Sequence, residues 1–143
     1  DVRLAAPCTK MNAAYIKVGL TGTDMGSGYF LPRIIGFSNA AMYLYTGRFI
    51  TAERALAMGL VSELVEKDQL LEEGLLLADD MLQASPLGLR LTKEALTATV
   101  DSPSLDAAVA IEDRQQNLLM GTADHQEAVT AFKEKRRPNY KNT

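Results

Sequence analysis

Gly19-Leu20-Thr21-Gly22-Thr23-Asp24-Met25-Gly26-Ser27-Gly28 runs straight into Tyr29-Phe30-Leu31-Pro32-Arg33-Ile34-Ile35-Gly36, and these residues hold five of the chain's ten glycines. Glycine at this density asks for unusual backbone angles or for close approach of the backbone to something else. Residues 29–35 read as a short helix that stops near Gly36. No Gly-Lys-Ser/Thr follows, so the loop is not a P-loop, and it does not match Gly-x-Gly-x-x-Gly. Two readings stay open. The loop either lines a ligand pocket, with amides and a helix N-terminus near an electron-rich group, or is a tight turn with no ligand. Asp24 divides in the same way. It is either a carboxylate available for proton transfer or the N-cap of the helix that follows.

Upstream of the loop, Val2–Ala5 reads as a short strand, 7–10 as a turn, and Met11–Val18 as a second extended piece. Downstream the pattern is helical. Ser38 caps a helix through Tyr45, and Thr51 caps another, with Glu53 in its first turn and Gly59 as its stop. Residues 62–65 read as extended. A long amphipathic helix fits Asp68 to Ala84, with Leu71, Leu75, Ala78 and Leu82 on one face. Ser85-Pro86 and Ser102-Pro103 each read as a cap followed by a first helical proline. The last helix starts near Thr122 or Asp124, Asp124 with Glu127 being spaced as a capping box, and ends before Pro138. Two short strands cannot bury so many short apolar helices, so their partner surface is expected in upstream sequence, in other subunits, or in both.

Composition sets the outer limits. The chain has 143 residues, 47% hydrophobic and 23% charged, with a formal net charge of -3. That is about one domain of ordinary globular composition, and it lacks the basic footprint of a nucleic-acid binder. Adhesion to an anionic membrane is equally disfavoured, and no apolar run approaches the roughly 18 residues of a spanning helix. The single cysteine, Cys8, makes no intrachain disulfide, and no Cys/His cluster suits a metal. A reducing, intracellular setting fits. The chain opens on Asp1-Val2-Arg3 without Met and without a leader-like segment, as though in the middle of a fold.

Other chemistry-bearing residues have ordinary readings. His125, the only histidine, sits in a polar helix start and reads as a solvated surface residue. Cys8 reads as a small structural thiol, and Tyr15 as an apolar filler with a phenol handle. Lys133, Lys135, Arg136 and Arg137 put four cations into five positions. They can bind phosphate, or simply complement a helix C-terminus.

Taken in order, several segments resemble the crotonase superfamily, the enoyl-CoA hydratase/isomerase family. They are Asp1–Ala5, Val18-Gly19-Leu20, Leu31-Pro32-Arg33-Ile34-Ile35-Gly36, Leu44-Tyr45-Thr46-Gly47-Arg48-Phe49-Ile50, Ala52-Glu53-Arg54-Ala55 and Gly59-Leu60-Val61. Pro86, Thr92-Lys93-Glu94, Glu112 and Ala131-Phe132-Lys133-Glu134-Lys135-Arg136-Arg137-Pro138 continue the series. The resemblance covers essentially the whole chain and matches the C-terminal half of the family fold. It implies an α/β fold: 1–36 as the end of the ββα spiral with its active-site loop, and 37–143 as a helical region for trimerisation and CoA contact. It also implies homotrimers or hexamers, a cytoplasmic setting in fatty acid metabolism, and no metal or cofactor beyond the CoA thioester that serves as substrate.

The family's chemistry, as the resemblance implies it, holds a thioester enolate in an oxyanion hole of two backbone N–H groups and moves protons with carboxylates. Both oxyanion-hole segments and the first hydratase glutamate belong to the half preceding this match, so residues 1–143 alone are expected to be inactive. Tyr15 occupies the position of the second glutamate, which tells against ordinary hydration. Asp24 falls where dienoyl-CoA isomerase relatives keep an acid, which favours the acid/base reading over the cap. Tyr15, Leu20 and Gly22 then shape the acyl site. Phe132 and Lys135 match positions that reach the CoA adenine and phosphate. A non-catalytic CoA-binding or assembly module is the competing expectation.

Overall fold

The computed structural model describes residues 1–143. They form two compact units, 1–75 and 76–143. The first unit extends well past residue 36, where the sequence changes character, because the helices that follow pack onto the elements that precede it.

The first unit has four two-residue strands. β1 (Leu4–Ala5) pairs in parallel with β4 (Glu63–Leu64), and β2 (Lys10–Met11) pairs antiparallel with β3 (Ile50–Thr51). The extended reading of Met11–Val18 holds only at its start. Ala14–Val18 form a 3-10 helix, and Gly19 ends it in the left-handed region with φ 81°. This tight turn brings the Leu20 N–H to the Tyr15 carbonyl at 3.2 Å.

α1 (Ser27–Ile35) and α2 (Phe37–Thr46) meet at Gly36, whose φ is 78°. That glycine makes the corner itself, so α2 is capped by Gly36 and Ser38 lies inside the helix rather than at its start. α3 (Ala52–Ala57) begins as read, with Thr51 Oγ1 accepting the Arg54 N–H at 3.3 Å. Arg54 also donates to Asn39 Oδ1 at 3.1 Å, tying α3 to α2. The core gathers Ala5, Ile35, Ala40, Tyr43, Leu44, Ile50, Ala55 and Val61. It is small and alanine-rich, so backbones approach closely and little apolar area is available per residue.

α4 (Leu70–Met81) covers most of the long predicted helix. Its apolar face lies open, with Leu71 at 75% exposure and Leu75 exposed as well, as is Leu82 just past its end. In the second unit, α5 (Pro86–Thr99) starts on Ser85, whose Oγ accepts the Gly88 N–H at 3.1 Å. α6 (Leu105–Met120) starts two residues later than Ser102-Pro103 suggests. The cap is Ser104, whose Oγ accepts the Ala107 N–H. Ser102 instead donates its hydroxyl to the Ser104 carbonyl. α7 (Ala123–Glu134) is capped by Thr122, with no Asp124–Glu127 capping box. Leu96, Val100, Leu105, Leu118 and Met120 stand exposed on this unit's helices. No helix is long and apolar enough to cross a membrane.

Candidate functional site

The glycine loop is shaped by its own polar groups. Thr21 Oγ1 donates to the Thr23 carbonyl at 2.6 Å. Asp24 closes the turn ahead of α1: its N–H donates to Ser27 Oγ at 3.1 Å, and its carbonyl accepts the Ser27 N–H at 2.9 Å. Asp24 Oδ1 accepts only the neighbouring Met25 N–H, at 2.8 Å. The N-cap of α1 is Gly26, with φ 82° and no side-chain cap bond. The cap reading of Asp24 therefore fails, and the carboxylate stands exposed at the loop's tip. Met25 beside it adopts φ 49°, uncommon for a residue with a side chain.

Gly22 sits against the backbone of α2. A Cβ there would lie 2.9 Å from the Leu44 carbonyl carbon and would overlap its oxygen. This contact seats the loop on α2 and closes one wall of an apolar cavity of about 370 Å³. Ile16, Thr21, Gly22, Thr23, Gly28, Pro32, Phe37 and Tyr45 are among its lining residues. Pro32 has no N–H to give the Gly28 carbonyl one turn back, which leaves that acceptor without its helical donor. Of the predicted residues only Gly22 lines the cavity. Tyr15, half-buried in the 3-10 helix, Leu20 and Asp24 lie outside its wall. Ile16, Phe37 and Tyr45 were missed, although Phe37, Ala41, Leu44 and Tyr45 repeat at helical spacing, which was the available signal.

In the second unit, α7 ends on Lys135, a non-glycine residue in the left-handed region with φ 54° and ψ 41°. Phe132, one turn earlier, is 85% exposed. Beyond Lys135 the tail folds back along α7. Glu127 grips Arg136 with both oxygens, at 2.6 and 3.0 Å, and accepts the Asn139 N–H at 2.8 Å. Arg136 Nε also reaches Glu134 at 2.6 Å. Asp124, only 3% exposed, accepts the Lys141 and Asn142 N–H groups at 2.7 and 2.8 Å. Arg137 pairs with Asp79 at 2.6 Å, and the Tyr140 hydroxyl donates to the Gln83 carbonyl at 3.0 Å.

These contacts set the charges. The Arg136 hydrogen bonds, aided by the Asn139 N–H, hold the Glu127 carboxyl down to about 2. Glu127 and Glu134 in turn raise the Arg136 pKa, and Asp79 raises that of Arg137. Burial pushes the Tyr140 phenol up. No group of three or more His, Cys, Asp and Glu side chains comes together as a metal site would need.

Short paired strands followed by a mainly helical stretch match part of the crotonase fold, the class that comparison with known proteins shows. The chain belongs to the enoyl-CoA hydratase/isomerase family, whose model matches residues 1–143. A Mycobacterium tuberculosis protein named a probable enoyl-CoA hydratase, EchA12, is 40% identical over 139 residues, 96% of this chain and 49% of that one. A crotonyl-CoA hydratase of Syntrophomonas wolfei is 34% identical over 140 residues, 98% of this chain and 53% of its own length. The crystal structure of an enoyl-CoA hydratase from Bacillus anthracis superposes with a TM-score of 0.95 at 31% identity, covering all of this chain and 55% of that one. The chain thus spans about half the length of the curated relatives it matches.

Proposed function

We propose that residues 1–143 form the C-terminal part of an enzyme acting on an acyl-CoA thioester. Backbone N–H groups of the family fold outside these residues would hold the thioester carbonyl as it becomes an enolate, since fixed donors aimed at developing charge lower such barriers most. Asp24 would take a proton from one carbon of the acyl chain and return it at another. Gly22, in the cavity wall, and Tyr15 and Leu20, outside it on the turn that leads into the loop, would shape the acyl site, while Phe132 and Lys135 would meet the adenine and a phosphate of CoA. The observation that carries this reading is the exposed Asp24 carboxylate, bonded only to its neighbour's N–H and next in sequence to Thr23, which lines the apolar cavity. Tyr15, where a glutamate would serve hydration, favours double-bond isomerisation over hydro-lyase chemistry. A homotrimer or a dimer of trimers is the proposed assembly, supported by the open apolar face of α4 and the exposed Leu105, Val109, Leu118 and Met120 of α6, and the cytoplasm is the proposed setting. No cofactor beyond the CoA substrate is required.

A second reading rests on the same tyrosine: a CoA-binding or assembly module without turnover. Assays with crotonyl-CoA and a 3-enoyl-CoA, on the full-length protein and on residues 1–143 alone, separate the two. Turnover by the full-length protein and none by 1–143 is the expected result. Full activity in residues 1–143 overturns the need for the preceding half. Calorimetric binding of CoA esters without turnover of any acyl chain establishes the module instead.

A further inference from the structure

Four cations crowd the end of α7, but the structure commits two of them elsewhere. Arg136 is held by Glu127 and Glu134, and Arg137 by Asp79. Lys133 and Lys135 have no carboxylate partner. Lys135 is also the residue in left-handed backbone, at a helix end where glycine is the usual occupant. A side chain at such a position is held against its own preference, and an outlier of this kind points to use. What holds it is the next residue. Arg136 is fixed through all three guanidinium nitrogens, and its N–H donates to the Ala131 carbonyl at 3.0 Å. Glu127 also takes the Asn139 N–H, so one carboxylate anchors the chain at two points beyond Lys135.

Resting on the acyl-CoA reading and deepening it, we infer that Glu127 is a positioning residue: by fixing Arg136 and the returning tail, it reserves Lys135, beside Phe132, as the cation that meets a CoA phosphate. The assignment orders the tail by role: Arg136 and Arg137 build it, and Lys135 is presented by it.

The test uses the full-length protein and calorimetry with CoA and 3′-dephospho-CoA. Wild type should prefer CoA, and Lys135→Gln should reduce that preference by about tenfold, as expected for losing one charge-assisted contact. Glu127→Gln should lose most of the same preference, with kcat unchanged and KM raised. The double variant should lose no more than Lys135→Gln alone, and Lys133→Gln should keep the wild-type ratio. Arg136→Gln breaks the same pair from the other side and should match Glu127→Gln, so the inference stays testable if one variant folds poorly. An effect on folding alone would lower the melting temperature without moving the CoA to dephospho-CoA ratio. Loss of preference in Lys135→Gln with a wild-type or stronger preference in Glu127→Gln overturns the positioning role and leaves the acyl-CoA reading standing. Loss in Lys133→Gln but not in Lys135→Gln overturns the choice of lysine. Absence of any CoA binding by wild type overturns both readings.

Discussion

Alanine at Gly22 and alanine at Gly74 make the same chemical change in opposite surroundings. At Gly22 the added methyl would lie 2.9 Å from the Leu44 carbonyl carbon and closer still to its oxygen. Both atoms are helix backbone, so they cannot rotate away as a side-chain tip would, and either the loop or α2 must shift. Overpacking of this kind costs about 1–3 kcal/mol. At Gly74, inside α4, nothing lies within 4 Å and the backbone is ordinary helix. There alanine should stabilise by about 0.5–1 kcal/mol, from helix propensity and reduced freedom of the unfolded chain. Urea unfolding followed by circular dichroism measures both. The midpoint should fall in Gly22→Ala and rise in Gly74→Ala. If the loop is seated on α2 as described, Gly22→Ala should also lower the affinity of an apolar probe for the cavity it borders. A Gly22→Ala midpoint indistinguishable from wild type, or a shared sign for the two variants, would refute the reasoning.

Three further outcomes follow from named contacts. Thr51→Ala removes the acceptor for the Arg54 N–H at the start of α3 and should cost about 1 kcal/mol in chemical denaturation, with Thr51→Ser restoring most of it. Asp124→Asn turns one acceptor oxygen toward a backbone N–H into a donor in a buried site, so destabilisation of about 1–3 kcal/mol is expected, together with faster amide exchange at Lys141 and Asn142. The Glu127 pKa lies below its ordinary value of 4.5, at about 2, because Arg136 and the Asn139 N–H favour its charged form. Its contribution is therefore complete above about pH 4.5 and is lost as the pH falls through about 2. Amide exchange at Asn139 should stay slow at pH 4.5 and accelerate, beyond the intrinsic pH trend, between there and pH 2. No such excess acceleration would count against the clamp.

Local signals were readable because their partners are close in sequence. Thr51 and Ser85 each bond an amide three residues on, and Gly19, Gly36 and Gly59 stand where the chain must turn. The misreadings share a cause. Ser38 and Ser102 are acceptable caps, but Gly36 and Ser104, each two residues away, stand where the backbone enters the helix. The Asp124–Glu127 spacing fits a capping box, yet both carboxylates are taken by a tail 9–18 residues further along, and no local period encodes such a return. Thr122 was left to cap α7. The apolar stripe on α4 was legible as a pattern, while the surface that would cover it was not, since a stripe states that a helix buries a face without stating against what. The candidate site was legible only through the ordered family segments. Glycine density marked the loop, and Gly22 proved to border the cavity, but neither spacing nor charge distinguished Asp24 from an ordinary turn residue.

The most direct test of the account is the rate of 3-enoyl-CoA isomerisation by the full-length protein and its Asp24→Asn variant, with thioester binding measured alongside. A positioned general acid/base contributes about 100- to 10,000-fold, so kcat should fall at least about 100-fold while thioester affinity stays within about threefold. Equal rates in wild type and Asp24→Asn would contradict the assignment of proton transfer to Asp24.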